Sequence, residues 1–370
     1  MKKQTEIENV VRKESLIKIA IEMHSKSYRV VRQIDHSEPP PTQKFRPEAF
    51  FGWLEKQRRL GGRVVVCYEA GCFGYEPARQ MQAMGVEVYV IAPQNWDEQG
   101  KRQVNDKHDA QVMCRRLSEY LCGHHKALSI VRIPSREEEA ARGQGRMRDQ
   151  LRRELRRMQA MGGSLLLPQR IAVSGRWWSG MIWKRISKEA PLWVMALLEM
   201  WKKLIMSLEK QAEEIEAELR AGAPVQKLLF GEGELTHELL ARELIDPQRF
   251  RNARQVGNYF GLCPSESSSA ERRRLGSITK HGNPRLRRLM VELAWRISRF
   301  QPRYRAARRW GAVLQDPKGY AAARKKAIVA LARRLAVDLW RIATGRVLPE
   351  ELGLVRKVNV GGLERWPLCT

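Results

Sequence analysis

RVVVCYEAGCFGYEPARQMQAMGVEVYVIAP, residues 63–93, sets two short β-branched runs on either side of a segment with helical spacing. RVVVCYE and VEVYVIAP are continuous apolar runs of the length and type found in buried strands. Between them residues 76–84 read as a helix, with Gly85 placed to end it. Towards the N-terminus, LIKIAI (16–21) alternates apolar and polar residues, and YRVVRQI (28–34) follows after a short polar break. A hairpin followed by strands and helices in alternation implies an α/β sheet. The segment SEPPPTQKFRPEAF (37–50) reads as a proline-rich loop between the hairpin and the next element.

After the strand-like ALSIVRIP (127–134), Ser135 and Glu138 form an S-x-x-E capping box at the head of a long charged helix. Gly162, Gly163 and Pro168 are expected to end that helix. A second long helix begins at Pro191, where Val194, Leu197, Trp201, Leu204, Leu208, Ile215 and Leu219 recur at helical spacing. Two such helices joined by a loop suggest a hairpin that packs on itself or on another subunit. The tryptophans of GRWWSGMIWK (Trp177, Trp178 and Trp183) lie between them, and core packing is favoured over base stacking there. From residue 224 onward the chain turns to shorter helices, polar turns and dense basic blocks, with one helix opened by Pro284 and a last amphipathic helix over 320–344. The expected organisation is an α/β domain over 1–134, a long helical (coiled-coil) hairpin with a Trp-rich insertion over 135–222, and a mainly α domain over 223–370.

The 370 residues are 43% apolar, which is ordinary for a globular chain with real cores and argues against disorder. Sixty-eight Lys and Arg against 41 Asp and Glu give a net charge of +27 and a pI near 10.3, which points to nucleic acid as partner. No run approaches the roughly 20 apolar residues of a membrane span, and the basic start lacks the apolar core of a signal peptide. A cytoplasmic protein with no membrane partner is expected. The six cysteines form no CxxC pair, and none lies near histidines at zinc spacing, so neither zinc nor a disulfide framework is expected.

In so basic a chain, VNDKHDAQVM (104–113) places Asp106 and Asp109 three residues apart at the head of an amphipathic segment, on one helical face. Acids in a first turn complement the helix dipole, so a solvated helix start is one reading. The other is a metal site. Glu22 stands at the end of the first strand and Glu69 at the end of RVVVCYE. Hard divalent cations take oxygen ligands that converge from separate elements. Four acids at element ends match the way phosphoryl-transfer enzymes build two-metal sites. Asp35 reads as a turn residue, and Lys26 and Arg79 as contacts to nucleic acid or counter-charges to the acids.

Three blocks, IAIEMHSKSYRVV (19–31), CYEAGCFGYEPARQM (67–81) and NDKHDAQVMCRRL (105–117), resemble in order and spacing the RuvC-like DEDD domain of transposases of insertion-sequence family one-hundred-and-ten. These are recombinases guided by a structured noncoding RNA from their own element. The resemblance implies an RNase H-like (RuvC-like) fold, with Glu22, Glu69, Asp106 and Asp109 as a tetrad binding Mg²⁺, or Mn²⁺ in its place. Glu22 departs from the family pattern, which normally has Asp there.

A second block, GLCPSESSSAERRRLGSITKHGN (261–283), carries serines immediately before a basic run. A serine hydroxyl is a poor nucleophile unless a base, a metal or a positive field stabilises its alkoxide. By composition alone this is a basic nucleic-acid-binding loop whose serines form turns. It resembles the same family's C-terminal transposase domain. Alignment on Ile278, Thr279, Lys280, Gly282 and Asn283 makes Ser269 the counterpart of the family's nucleophile, with Ser268 as the alternative, and Ala270 stands where the family commonly has Gly. Arg272, Arg273, Arg274, Lys280, Arg285, Arg287 and Arg288 are the expected nucleic-acid contacts.

The resemblance implies an RNA-guided DNA transposase that cuts and rejoins target and donor DNA through a phosphoserine intermediate. It also implies a homo-tetramer or dimer in which tetrad and serine form a composite site. Two other readings stand beside it. One is a RuvC-like metal-dependent nuclease or junction resolvase whose serine loop only grips DNA. The other is a non-catalytic nucleic-acid-binding protein on an RNase H-like fold.

Overall fold

The computed structural model of the protein describes residues 15–60, 62–94, 96, 106–224, 228–267, 274–316 and 318–357. It divides into two compact units between Ser135 and Arg136.

The first unit is a six-stranded mixed sheet in the order β3-β2-β1-β4-β5-β6. Its strands are β1 (Leu16–His24), β2 (Ser27–Ile34), β3 (Gln43–Phe45), β4 (Arg63–Glu69), β5 (Glu87–Ile91) and β6 (Ile130–Val131). β1 and β2 form an antiparallel hairpin, β1, β4 and β5 run parallel, and β6 returns antiparallel to β5. Helices α1 (Pro47–Arg59), α2 (Glu76–Ala83) and α3 (Asp106–Leu121) complete the unit.

Strand period two sorts the side chains between two cores. Ile17, Ile19, Ile21, Val64, Val66 and Tyr68 pack with Phe50 and Leu54 of α1 and Met81 of α2. On the opposite face Ala20, Val65, Cys67 and Ile91 pack with Ala110, Met113, Cys114 and Leu117 of α3. With helices on both faces, the alternation of LIKIAI does not mark a solvated side. Lys18 is only 1% exposed, and its Nζ donates to Ser118 Oγ of α3 at 2.7 Å.

The proline-rich segment is more ordered than its composition suggests. β3 pairs with β2 through Tyr28↔Phe45, and Pro47 opens α1, where its missing N–H costs nothing. Asp35, at φ 49°, closes the hairpin's far end, and its Oδ1 accepts from the Leu16 N–H at 2.7 Å.

In the second unit α4 (Arg136–Leu166) and α6 (Leu192–Ala221) form an antiparallel pair, with Gln144 meeting Glu218 and Arg152 meeting Glu216. The helix α4 passes the expected stops Gly162 and Gly163 and ends at Leu166, two residues before the third, Pro168. Gly162 serves a different purpose: the Trp177 ring crosses the helix there, and any Cβ would overlap that ring. Trp177 is buried, and its Nε1 donates to Gln159 O at 2.8 Å, so this tryptophan belongs to the core. The chain then passes through α5 (Gly180–Glu189), α7 (Glu234–Leu244), α8 (Ala253–Tyr259) and the hairpin of β7 (Pro264–Glu266) and β8 (Leu275–Ile278). Helices α9 (Pro284–Phe300), α10 (Arg305–Gln315) and α11 (Ala321–Ala343) build the largest core, around Leu286, Leu293, Ile297, Leu331 and Leu335. Among the described residues no helix is long and apolar enough to cross a membrane.

Candidate active site

Glu22 and Glu69 follow Ile21 and Tyr68, which are register partners on the parallel strands β1 and β4. The two acids therefore stand at one level. They share the parity of Ala20 and Cys67, so they lie on the sheet face covered by α3. Asp109 is in the first turn of α3, beside the buried Ala110 and one helical turn before Met113, which packs on that face. Three of the four expected acids are thus brought to one end of one face. The fourth, Asp106, is the first residue of α3, and its side chain lies outside the described residues.

Glu69 is held by a neighbouring indole. Its Oε2 accepts from Trp96 Nε1 at 2.6 Å. Burial pushes its carboxyl above the usual range and the Asp109 charge adds to that, while the Trp96 and Gln94 hydrogen bonds oppose them. Two carboxylates held near each other in partial burial form a local excess of negative charge in a strongly basic chain. Gln94 Nε2, also buried, has no hydrogen-bond partner among the described residues. Neither Trp96 nor Gln94 is flagged by the sequence pattern. The available signal was their position just beyond the strand that leads away from Glu69's neighbour Ile91.

The donor set suits a hard cation: it is carboxylate only, on separate elements, without a thiolate or imidazole competing for a softer metal. Among the described residues no three His, Cys, Asp or Glu side chains converge closely enough to hold an ion by themselves. Any such site needs a further ligand, either from Asp106 or from a substrate oxygen.

The serine block forms the β7–β8 hairpin. Pro264 pairs with Ile278 and Glu266 with Leu275, and the Ser267 N–H donates to Arg274 O at 3.0 Å. Ser268, Ser269, Ala270, Arg272 and Arg273 lie outside the described residues.

The ITK-x-GN element that follows is structural in part. Gly282 lies directly against the backbone of Asn258, Tyr259 and Gly261, where a Cβ has no room. Asn283 caps α9: its Oδ1 accepts from the N–H groups of Arg285 at 2.9 Å and Leu286 at 3.3 Å.

The expected basic contacts fall into two groups. Arg274 and Lys280 are exposed at the base of the hairpin, and Lys280 O accepts from Arg287 Nη1 at 3.2 Å. Arg285 instead lies 3.2 Å from Asp149 and 3.0 Å from Glu243, and Arg288 reaches Asp149 at 2.8 Å. Those two side chains tie α9 to α4 and α7.

Residues 228–309 match the family model described as Transposase IS116/IS110/IS902 family. The chain is 30% identical over 326 residues to a putative transposase, y4rJ, of Sinorhizobium fredii, covering 80% of this chain and 81% of that protein. A probable family 20 transposase of Pseudomonas aeruginosa is 28% identical over 295 residues, covering 75% and 83%. The transposase for insertion sequence element IS1328 of Yersinia enterocolitica is 29% identical over 242 residues, covering 62% and 70%.

Proposed function

We propose that this chain, which belongs to the IS116/IS110/IS902 family of transposases, carries out DNA transposition by covalent strand exchange, with Ser269 as the nucleophile and the acids on the RuvC-like sheet completing the site. The observation that carries this reading is the placement of Glu22, Glu69 and Asp109 at the same end of the α3-covered face of the sheet.

Glu22, Glu69, Asp109 and Asp106 would hold Mg²⁺ or Mn²⁺. Bound there, the cation supplies positive charge against the phosphate and the departing oxygen. The protein's own groups do the rest. Trp96 fixes the orientation of Glu69, and burial keeps water from screening its charge. The unpartnered Gln94 amide is a donor suited to a phosphate oxygen.

Ser269 Oγ attacks phosphorus and loses its proton as the new Oγ–P bond forms. One P–O ester bond breaks, and the sugar oxygen leaves as a hydroxyl. Attack by another DNA hydroxyl reverses these changes, restoring serine and a phosphodiester. The number of ester bonds is unchanged throughout, so strands rejoin without ATP. That outcome distinguishes a recombinase from a nuclease.

The net charge of +27 supports a polyanionic partner, and a structured guide RNA together with target and donor DNA is the partner set proposed here. A homo-tetramer or dimer is supported by α6. Its Trp193, Leu197, Met200 and Leu204 recur at i, i+4, i+7 and i+11 and are exposed, on a different face from the buried Val194, Leu198 and Ile205. That stripe suits a helix of a second copy.

The test is a denaturing-gel assay with purified protein, its element's noncoding RNA, labelled target DNA and Mg²⁺. Wild type should form a protein–DNA adduct, and both Ser269→Ala and Asp109→Asn should abolish it. Cleavage without an adduct in wild type and in Ser269→Ala would replace this reading with the metal-dependent nuclease.

A further inference from the structure

Away from the acids and the serine hairpin, α9 and α10 enclose a groove of about 480 Å³. Its walls are Trp295 and Phe300, 39% and 36% exposed, so two large rings face solvent side by side. The floor is formed by Ala307, Gly311 and Leu314 of α10. Arg296 and Arg299 form the rim, and among the described residues no carboxylate lines the groove.

Neither rim arginine has an ion-pair partner among the described residues; the nearby Glu292 is paired with Arg288. Arg299 lies over the Phe300 ring at 5.7 Å, and Arg324 of α11 lies 5.9 Å from the Trp295 ring centre. Arg324 Nε is buried without a hydrogen-bond partner. The groove therefore combines exposed aromatic faces with uncompensated guanidinium charge.

We infer that this groove binds unpaired nucleotides of a single strand. A base enters between the aromatic walls and stacks, and its flanking phosphates meet Arg296 and Arg299. A flat π-face alone would suit an apolar peptide equally, but a peptide gives no reason for a rim of free arginines without a single acid. A duplex phosphate backbone suits the arginines, but it keeps its bases stacked and leaves the aromatic walls in water. An unstacked nucleotide satisfies both, since base–aromatic stacking and backbone charge are the two components of single-strand binding. The inference rests on the groove's own chemistry and is independent of the strand-exchange reading.

Two variants test it. Trp295→Ala removes a wall. Gly311→Leu fills the floor: nothing lies within 4 Å of the position a Cβ would take there, and replacing a helical glycine favours the helix. Binding of the full chain is measured by fluorescence anisotropy without divalent metal, so that strand cleavage plays no part. The probes are fluorescein-labelled oligo-dT, oligo-U and a mixed-sequence duplex, each of roughly ten nucleotides or base pairs.

Each variant should weaken single-strand binding about 5- to 150-fold, the range that corresponds to losing one stacked base. Duplex affinity should stay unchanged. Equal losses on dT and U assign the groove to either strand chemistry. A loss on U alone assigns it to RNA, and a loss on dT alone to DNA. If both variants keep wild-type circular dichroism and single-strand affinity does not change, or falls only in step with duplex affinity, the inference is overturned. A peptide groove would give the first of those outcomes.

Discussion

The side chain of Asn283 accepts from two backbone N–H groups of α9 through Oδ1 and donates through Nδ2 to Glu243 at 3.0 Å, in a site where Glu243 is almost wholly buried. Asn283→Ala removes the cap and leaves a buried carboxylate one donor short, so it should cost about 1–3 kcal/mol in chemical denaturation. Asn283→Asp keeps the cap but sets a second negative charge against Glu243, and it should be destabilising as well. Lys18 presents the opposite case. Burial lowers the pKa of its ammonium below the ordinary lysine value, so the folded chain holds that proton less tightly than the unfolded chain. Its charge therefore weighs against folding at neutral pH, and this cost is relieved as pH rises from the lowered value towards the ordinary lysine range. Lys18→Met should stabilise the protein by on the order of 1 kcal/mol at pH 7. That advantage should shrink in thermal melts at progressively more alkaline pH. An unchanged advantage across that range would mean packing rather than charge is responsible.

At the level of elements, the crossing of Trp177 over α4 depends on one missing methyl group. Gly162→Ala keeps helix propensity high but forces the Trp177 ring off Gln159 and out of the core, at about 1–3 kcal/mol of overpacking strain. Gly163, with open space at its Cβ position, should accept alanine without loss, and a comparison of the two melting temperatures isolates the crossing. The outer face of α6 allows a separate test. If the proposed dimer or tetramer forms through it, replacing Trp193 and Leu197 together by Glu should give a smaller species by light scattering while far-ultraviolet circular dichroism stays unchanged, because these side chains lie outside the helix pair's own core. An unchanged mass would remove α6 as the contact.

For the molecule as a whole, the net charge of +27 is expected to dominate binding to nucleic acid. If six to ten phosphates are neutralised, affinity should fall by roughly 10³ to 10⁵ between 50 and 200 mM salt, measured by anisotropy with a long duplex. Ion pairs within the fold leave the +27 excess untouched, so a slope near zero would show that this excess lies away from the surface that meets nucleic acid. The structure already contains several such pairs, with Asp149, Glu216 and Glu243 each held by two or more arginines.

Residue type and spacing alone determine the alternation of strand and helix around RVVVCYE, the helix opened by Pro284, the basic charge and the acids at element ends. Each of these is written in neighbours a few positions apart, where strand or helix geometry converts spacing directly into a shared face. Only the tertiary structure decides that Lys18 is buried under a helix 100 residues away, that Trp96 orients Glu69, and that Arg285 and Arg288 of the basic block turn inward to Asp149. It alone decides that Trp295 and Phe300 are left at the surface, lining one groove with Gly311. Those outcomes depend on which distant elements pack together, and local periodicity carries no record of the partner, because the same arginine or tryptophan satisfies its helix equally well facing water, an acid or a core.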